Sequence, residues 1–114
     1  MQVSDWQPFD SVAIAAARAE NRPVFIDYTA AWCITCQVNK KLVLDTAPVQ
    51  EMFRKNDVLL IRADWTNQNP DITAALAELG RNSVPVYVWY APGASAPELL
   101  PQLLQERTIA ALFE

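Results

Sequence analysis

At 114 residues, with 52% apolar and 19% charged side chains, the chain has enough material for one buried core without help from a metal or a disulfide. A net charge of −4 with scattered lysines and arginines argues against nucleic acid or an anionic lipid surface as the main partner. There is no histidine, which excludes Ser-His-Asp and Cys-His nucleophile pairs built from this chain alone and leaves any cysteine-based metal site short of ligands.

No apolar run reaches the roughly 18 residues that a membrane-spanning helix needs. Met1–Asp5 has neither the basic n-region nor the apolar h-region of a leader, which suits a cytoplasmic chain or an extracytoplasmic domain cut from a longer one. Phe9-Asp10-Ser11 opens a helix: Asp10 is the cap, and Phe9 and Ile14 have the spacing of a hydrophobic staple. The helix continues over Val12–Glu20 and stops at Asn21-Arg22-Pro23. "PVFIDYTA" is a short β-branched and aromatic run, hence a buried strand, with Asp27 inside it. Over 37–44 a second helix is expected, with Ile34, Val38 and Leu42 four apart as the stripe facing the core. Thr46-Ala47-Pro48 restarts the helix, Thr46 capping and Pro48 in the first turn.

"DVLLIRADW" reads as a second buried strand and "NPDITAALAELG" as a helix with Asn69 as cap, Pro70 at the first position and Gly80 beyond the end. "VPVYVWY" is a third strand. After a turn at Pro92-Gly93, "ELLPQLL" is an edge strand, because Pro101 cannot donate to a ladder. A helix over "ERTIAALFE" closes the chain. Alternating helices and strands indicate an α/β domain over 1–114: a mixed sheet of about four strands with helices on both faces, its last two strands an antiparallel hairpin.

Cys33 and Cys36 fall where a strand gives way to a helix. Helix N-terminal N–H groups stabilise a thiolate, the nucleophile of disulfide exchange, and three-residue spacing brings both sulfurs onto one turn. The first cysteine would be exposed and attack; the second, more buried, would resolve the mixed disulfide. Three other readings stay open. A zinc site is half built unless a dimer completes it. A staple across so short a loop stabilises little, and two unrelated core cysteines need no chemistry. The strand–CxxC–helix context favours the redox pair. Gly80 and Gly93, the only glycines, form no phosphate loop, so neither a metal nor a nucleotide, flavin or haem cofactor is expected beyond the cysteine pair itself.

"VFIDYTAAWCITCQ" and the later "SVPVY" resemble the thioredoxin superfamily. "RPVFIDYTAAWCITCQVNK", "ADWTNQNPDITAALAELG" and "VPVYVWYAPG" are similar to the C-terminal thioredoxin-like domain of DsbD-type transmembrane thiol:disulfide interchange proteins. The resemblance implies a thioredoxin fold and a protein-disulfide reductase on the periplasmic side of the inner membrane, monomeric as an isolated domain. It would take electrons from a membrane-embedded cysteine pair and pass them to periplasmic thiol proteins; the chain would then be an excised domain. A free-standing thioredoxin-like reductase and a non-redox binding module are the alternatives.

The same resemblance makes Cys33 the attacking thiol, Cys36 the resolving thiol and Pro85 a cis-proline facing them, with Val84 offering its backbone to a substrate strand. Asp27 corresponds to the buried acid that accepts the Cys36 proton, with a pKa raised by desolvation. Trp32 would shield the pair, and with Ile34 add docking surface. Arg62 would modulate Asp27. Lys40 stands where family members often have glutamate, and if it reaches the site it lowers the thiol pKa values.

Overall fold

The computed structural model of the protein describes residues 5–114; the leader reading at Met1–Ser4 lies outside the described residues. In chain order the elements are β1 (Trp6–Pro8), α1 (Ser11–Ala19), β2 (Val24–Thr29), α2 (Ile34–Asn39) running into a π-helical turn (Lys40–Leu44), α3 (Ala47–Lys55), β3 (Leu59–Asp64), α4 (Pro70–Glu78), β4 (Val86–Tyr90), β5 (Glu98–Leu99) and α5 (Glu106–Ala110), ending in a 3-10 turn (Ala111–Phe113). The sheet order is β1-β3-β2-β4-β5. β3 runs parallel to both β1 and β2, whereas β4 pairs antiparallel with β2 and β5. Among the described residues no helix is long and apolar enough to cross a membrane.

Every residue of β2 is buried, because it sits at the centre of the sheet with helices over both faces. Its alternating side chains serve two separate cores. Val24, Ile26 and Tyr28 pack with Ile61, Val86 and Val88 under α1 and α4, contacting Ala17, Ile72 and Leu76. Phe25 joins Leu60, Tyr87 and Trp89 on the other face, against Val43, Leu44, Val49, Phe53 and Ile109. Asp27 and Thr29 continue the Phe25 side by the same period of two, so a polar column replaces the apolar one toward the C-terminal end of β2.

Several local expectations hold. Asp10 accepts from the N–H groups of Val12 and Ala13. Asn69 caps α4 through the N–H of Asp71, Pro70 is its first residue, and Gly80 beyond its end has φ +74°, a left-handed conformation that glycine adopts freely. β5 is an antiparallel edge strand, though it ends at Leu99 before Pro101.

Four expectations are corrected. Among the described residues the sheet has five strands, against an expectation of about four: β1 is only three residues long and contains Pro8, so it gave no alternating pattern. Thr46 occupies the N-cap position of α3, but its side chain makes no capping bond; its hydroxyl donates back to the Val43 carbonyl at 2.7 Å. The stripe Ile34, Val38, Leu42 faces outward, with 80, 41 and 66% exposure. The buried face of that helix is instead Cys36, Asn39, Val43 and Leu44. Finally, Cys33 is not openly exposed but almost wholly buried, at 8% exposure.

Candidate active site

β2 ends at Thr29, and the residues after it are held by the loop that follows β3. The Ala31 N–H donates to the Thr66 hydroxyl at 2.8 Å, and the Trp32 indole donates to the Thr66 carbonyl at 3.1 Å. Thr66 is itself fixed by Asp64, whose carboxylate accepts from its N–H and hydroxyl. Those hydrogen bonds hold the Asp64 carboxyl below the usual range. Thr66 was not anticipated; the Asp-x-Thr turn at 64–66 is the signal that would have found it.

This brace places Cys33 at the N-cap of α2, where its sulfur accepts from the Cys36 N–H at 3.2 Å. The two cysteines form a disulfide, with Cα atoms 5.2 Å apart. Cys33 is 8% exposed and Cys36 1%. The attacking candidate is therefore the less buried of the two, but only slightly, because Ala30 and Val84 pack around the pair. Val84 leads into Pro85 through a cis peptide bond, and Pro85 is buried at the entrance to β4. Trp32 and Ile34 flank the pair with 55 and 80% exposure. The Trp32 ring lies 6.0 Å from that of Trp65, which anchors its inner edge.

The polar column lies toward the C-terminal end of β2, the strand that precedes the pair. Asp27 is 1% exposed and is joined by Arg62 Nε to Oδ2 at 3.2 Å, the direct register partner on β3. Burial pushes the Asp27 carboxyl up to about 6, against the opposing pull of the Arg62 and Lys40 charges. Arg62 stacks over the Trp6 ring at 4.0 Å and reaches toward Asp45 at 3.9 Å. Lys40 lines an open cleft of 340 Å³ with Thr29, Gln37, Arg62 and Asp64. Its charge acts on Asp27 and Asp64. Lys40 therefore acts on the Asp27 carboxylate from the cleft. Among the described residues, Asp27 Oδ1, the Thr29 hydroxyl and Arg62 Nη2 are buried without hydrogen-bond partners.

Sequence reasoning also missed Asn39, which is 1% exposed on the same face of α2 as Cys36, and Tyr87, whose hydroxyl accepts from the Asn39 amide at 2.8 Å. Burial raises the Tyr87 phenol further above its ordinary value. The arrangement as a whole supplies two sulfurs that share one bond, an N–H aimed at the outer sulfur, and an acid–base group poised near neutrality on the adjoining strand. Those are the parts that thiol–disulfide exchange requires.

Comparisons with known proteins agree. The Thioredoxin-like family model matches residues 5–92. The thiol:disulfide interchange protein DsbD of Pseudomonas fluorescens is 34% identical over 83 residues, which is 73% of this chain and 14% of that protein. DsbD 1 of Pseudomonas aeruginosa is 36% identical over 81 residues, 71% of this chain and 13% of the relative, so the chain spans only a small part of these proteins. Among solved structures, the reduced C-terminal domain of Neisseria meningitidis DsbD superposes with a TM-score of 0.72 at 23% identity, covering 94% of this chain and 97% of that one. A thioredoxin from Thermus thermophilus gives a TM-score of 0.65 at 22% identity over 95% of this chain and 80% of its own. At these identities the superpositions show a shared fold.

Proposed function

The chain belongs to the thioredoxin-like family, and from that premise we propose that it is a thiol–disulfide oxidoreductase domain that works as a reductant. It is one domain of a longer inner-membrane protein and faces the periplasm. It takes electrons from a membrane-embedded cysteine pair and passes them to periplasmic thiol proteins. The similarity to DsbD proteins supports this assignment. One observation carries the chemistry: Cys33, the N-cap of α2, is the less buried partner of a disulfide formed with Cys36.

In the reduced state the Cys33 thiolate, favoured by the N–H of Cys36 and the helix start, attacks one sulfur of a partner disulfide. The partner's S–S bond breaks, one partner sulfur leaves as a thiolate, and Cys33 is joined to the other in a mixed disulfide. The Cys36 thiol then gives its proton to Asp27, and its sulfur attacks Cys33. The mixed disulfide breaks and the second partner thiolate departs. Two electrons have moved from the dithiol to the partner, and the Cys33–Cys36 bond has formed. Trp32, Ile34 and Val84 supply the apolar rim on which the partner strand rests, and Pro85 keeps that strand beside the sulfurs. Arg62 and Lys40 hold Asp27 ionised enough to accept a proton near neutral pH.

The Cys36→Ala variant is expected to accumulate a mixed disulfide through Cys33 with protein partners, visible as a thiol-sensitive adduct on non-reducing gels. Failure to capture any disulfide-bearing protein would overturn the assignment. Insulin reduction by dithiothreitol gives the companion readout. The wild-type chain accelerates precipitation and the Cys33→Ser/Cys36→Ser chain does not; equal rates would leave only a binding module.

A further inference from the structure

Asn39 stands where the core would accept a hydrocarbon. Val43, Leu104 and Tyr87, buried in the cluster beneath the π-helical turn, surround the region it enters. A polar amide there costs stability unless its hydrogen bonds are made, and asparagine is a weaker helix former than leucine. Its bonds are made, and they run to three residues on two separate parts of the chain. The amide nitrogen donates to the Tyr87 hydroxyl at 2.8 Å and to the Gln102 carbonyl at 2.7 Å. The amide oxygen accepts from the Leu104 N–H at 3.1 Å. One side chain thus ties α2 to β4 and to the segment that links β5 with α5.

Two placements give this clamp a direction. Asn39 lies three residues after Cys36, so both project from the same buried face of α2. Tyr87 lies two residues after Pro85 and opposite Asp27 in the β2–β4 register. Asn39 therefore sets how the turn bearing Cys36 sits against the strand that begins at the cis-proline and against the column that holds Asp27. Cys33 is held differently, at the N-cap, behind the loop that Thr66 braces.

We propose that Asn39 is a positioning residue that holds the Cys36 sulfur on its line of attack toward Cys33, and so governs release of the partner and not its capture. This rests on the exchange function proposed above. The step it governs is the second one: the Cys36 proton passes to Asp27, the Cys36–Cys33 bond forms, and the bond from Cys33 to the partner sulfur breaks, that sulfur leaving as a thiolate. A displacement of about 1 Å in such an attack slows it by up to about a hundredfold.

The test follows the reduced 114-residue chain reacting with oxidised glutathione, with acid quenching and mass analysis of the Cys33–glutathione adduct. In the wild type the adduct is transient. Asn39→Leu is expected to retain the rate of adduct formation within about twofold while resolution slows about tenfold or more, so the adduct accumulates. Tyr87→Phe keeps the ring and removes one acceptor, and is expected to slow resolution in the same direction by a smaller factor. Equal slowing of capture and release, or release at the wild-type rate in Tyr87→Phe and in any folded Asn39→Leu, overturns the role of Asn39. A wild-type chain that forms no adduct overturns the exchange function instead. Should Asn39→Leu fail to fold by circular dichroism, Tyr87→Phe alone decides.

Discussion

Asp27 is a carboxylate that the folded chain holds in its protonated form up to about pH 6, against 3.8 for an unburied aspartate, because the sheet interior excludes water from it. The sign of the stability effect follows. Between those two values this group binds more protons in the native state than in the unfolded state, so the stability it contributes is fully present below about pH 4 and is lost as pH rises through 6. Asp27→Asn keeps an oxygen for Arg62 Nε and removes the buried charge. It is expected to raise unfolding free energy at pH 7.5 by about 3 kcal/mol in urea titrations, with the gain vanishing near pH 4. The resolving step should show the complementary behaviour, its rate rising through pH 6 in the wild type and losing that inflection in the variant. A variant no more stable than wild type at pH 7.5, or an unchanged inflection, contradicts this account. Asp27 was legible because one acid interrupts a run of six otherwise strand-forming residues. Its pairing with Arg62 depends on strand register, which chain order does not specify. Asn39 was not legible at all: an asparagine between Val38 and Lys40 gives no sign that its amide will be buried and fully bonded.

The element that departs furthest from its sequence pattern is α2 with its π-helical extension. Counting apolar residues at four-residue intervals selects Ile34, Val38 and Leu42, yet these point to solvent. The inward face includes Asn39, a half-buried Lys40 and then Val43 and Leu44 in succession, and the π turn from Lys40 to Leu44 changes the periodicity midway. A hydropathy count cannot anticipate that polar side chains take inward positions when tertiary hydrogen bonds or a polar cleft receive them. The consequence is measurable. Leu42→Ala is expected to change stability by less than about 0.5 kcal/mol, whereas Leu44→Ala, emptying a fully buried site, should cost about 2–5 kcal/mol. Thermal or urea unfolding of the two variants checks it, and comparable losses would restore the inward stripe. The helices with clear punctuation behaved otherwise: Asp10 and the Asn69-Pro70 pair fixed the starts of α1 and α4 as expected, because capping is a local interaction.

At the scale of the whole molecule, alternation of strands and helices was enough to indicate a mixed sheet between two helical layers, since buried strands with helical crossovers admit few arrangements. What chain order did not give was the outer edge. β1, three residues next to β3, places Trp6 over the guanidinium of Arg62, and Arg62 is the counter-charge of Asp27. The acid–base group of one strand is thus linked, through a single cation, to an aromatic ring at the far margin of the sheet. A shortened chain beginning at Phe9 would remove that ring, leave Arg62 freer to turn toward water, and allow the Asp27 carboxyl to titrate still higher. Carbonyl-edited NMR titration of the two chains would reveal the difference, and coincident curves would exclude the link. Trimming a few residues for convenience of expression would then alter the proton acceptor of a reaction that takes place two strands away.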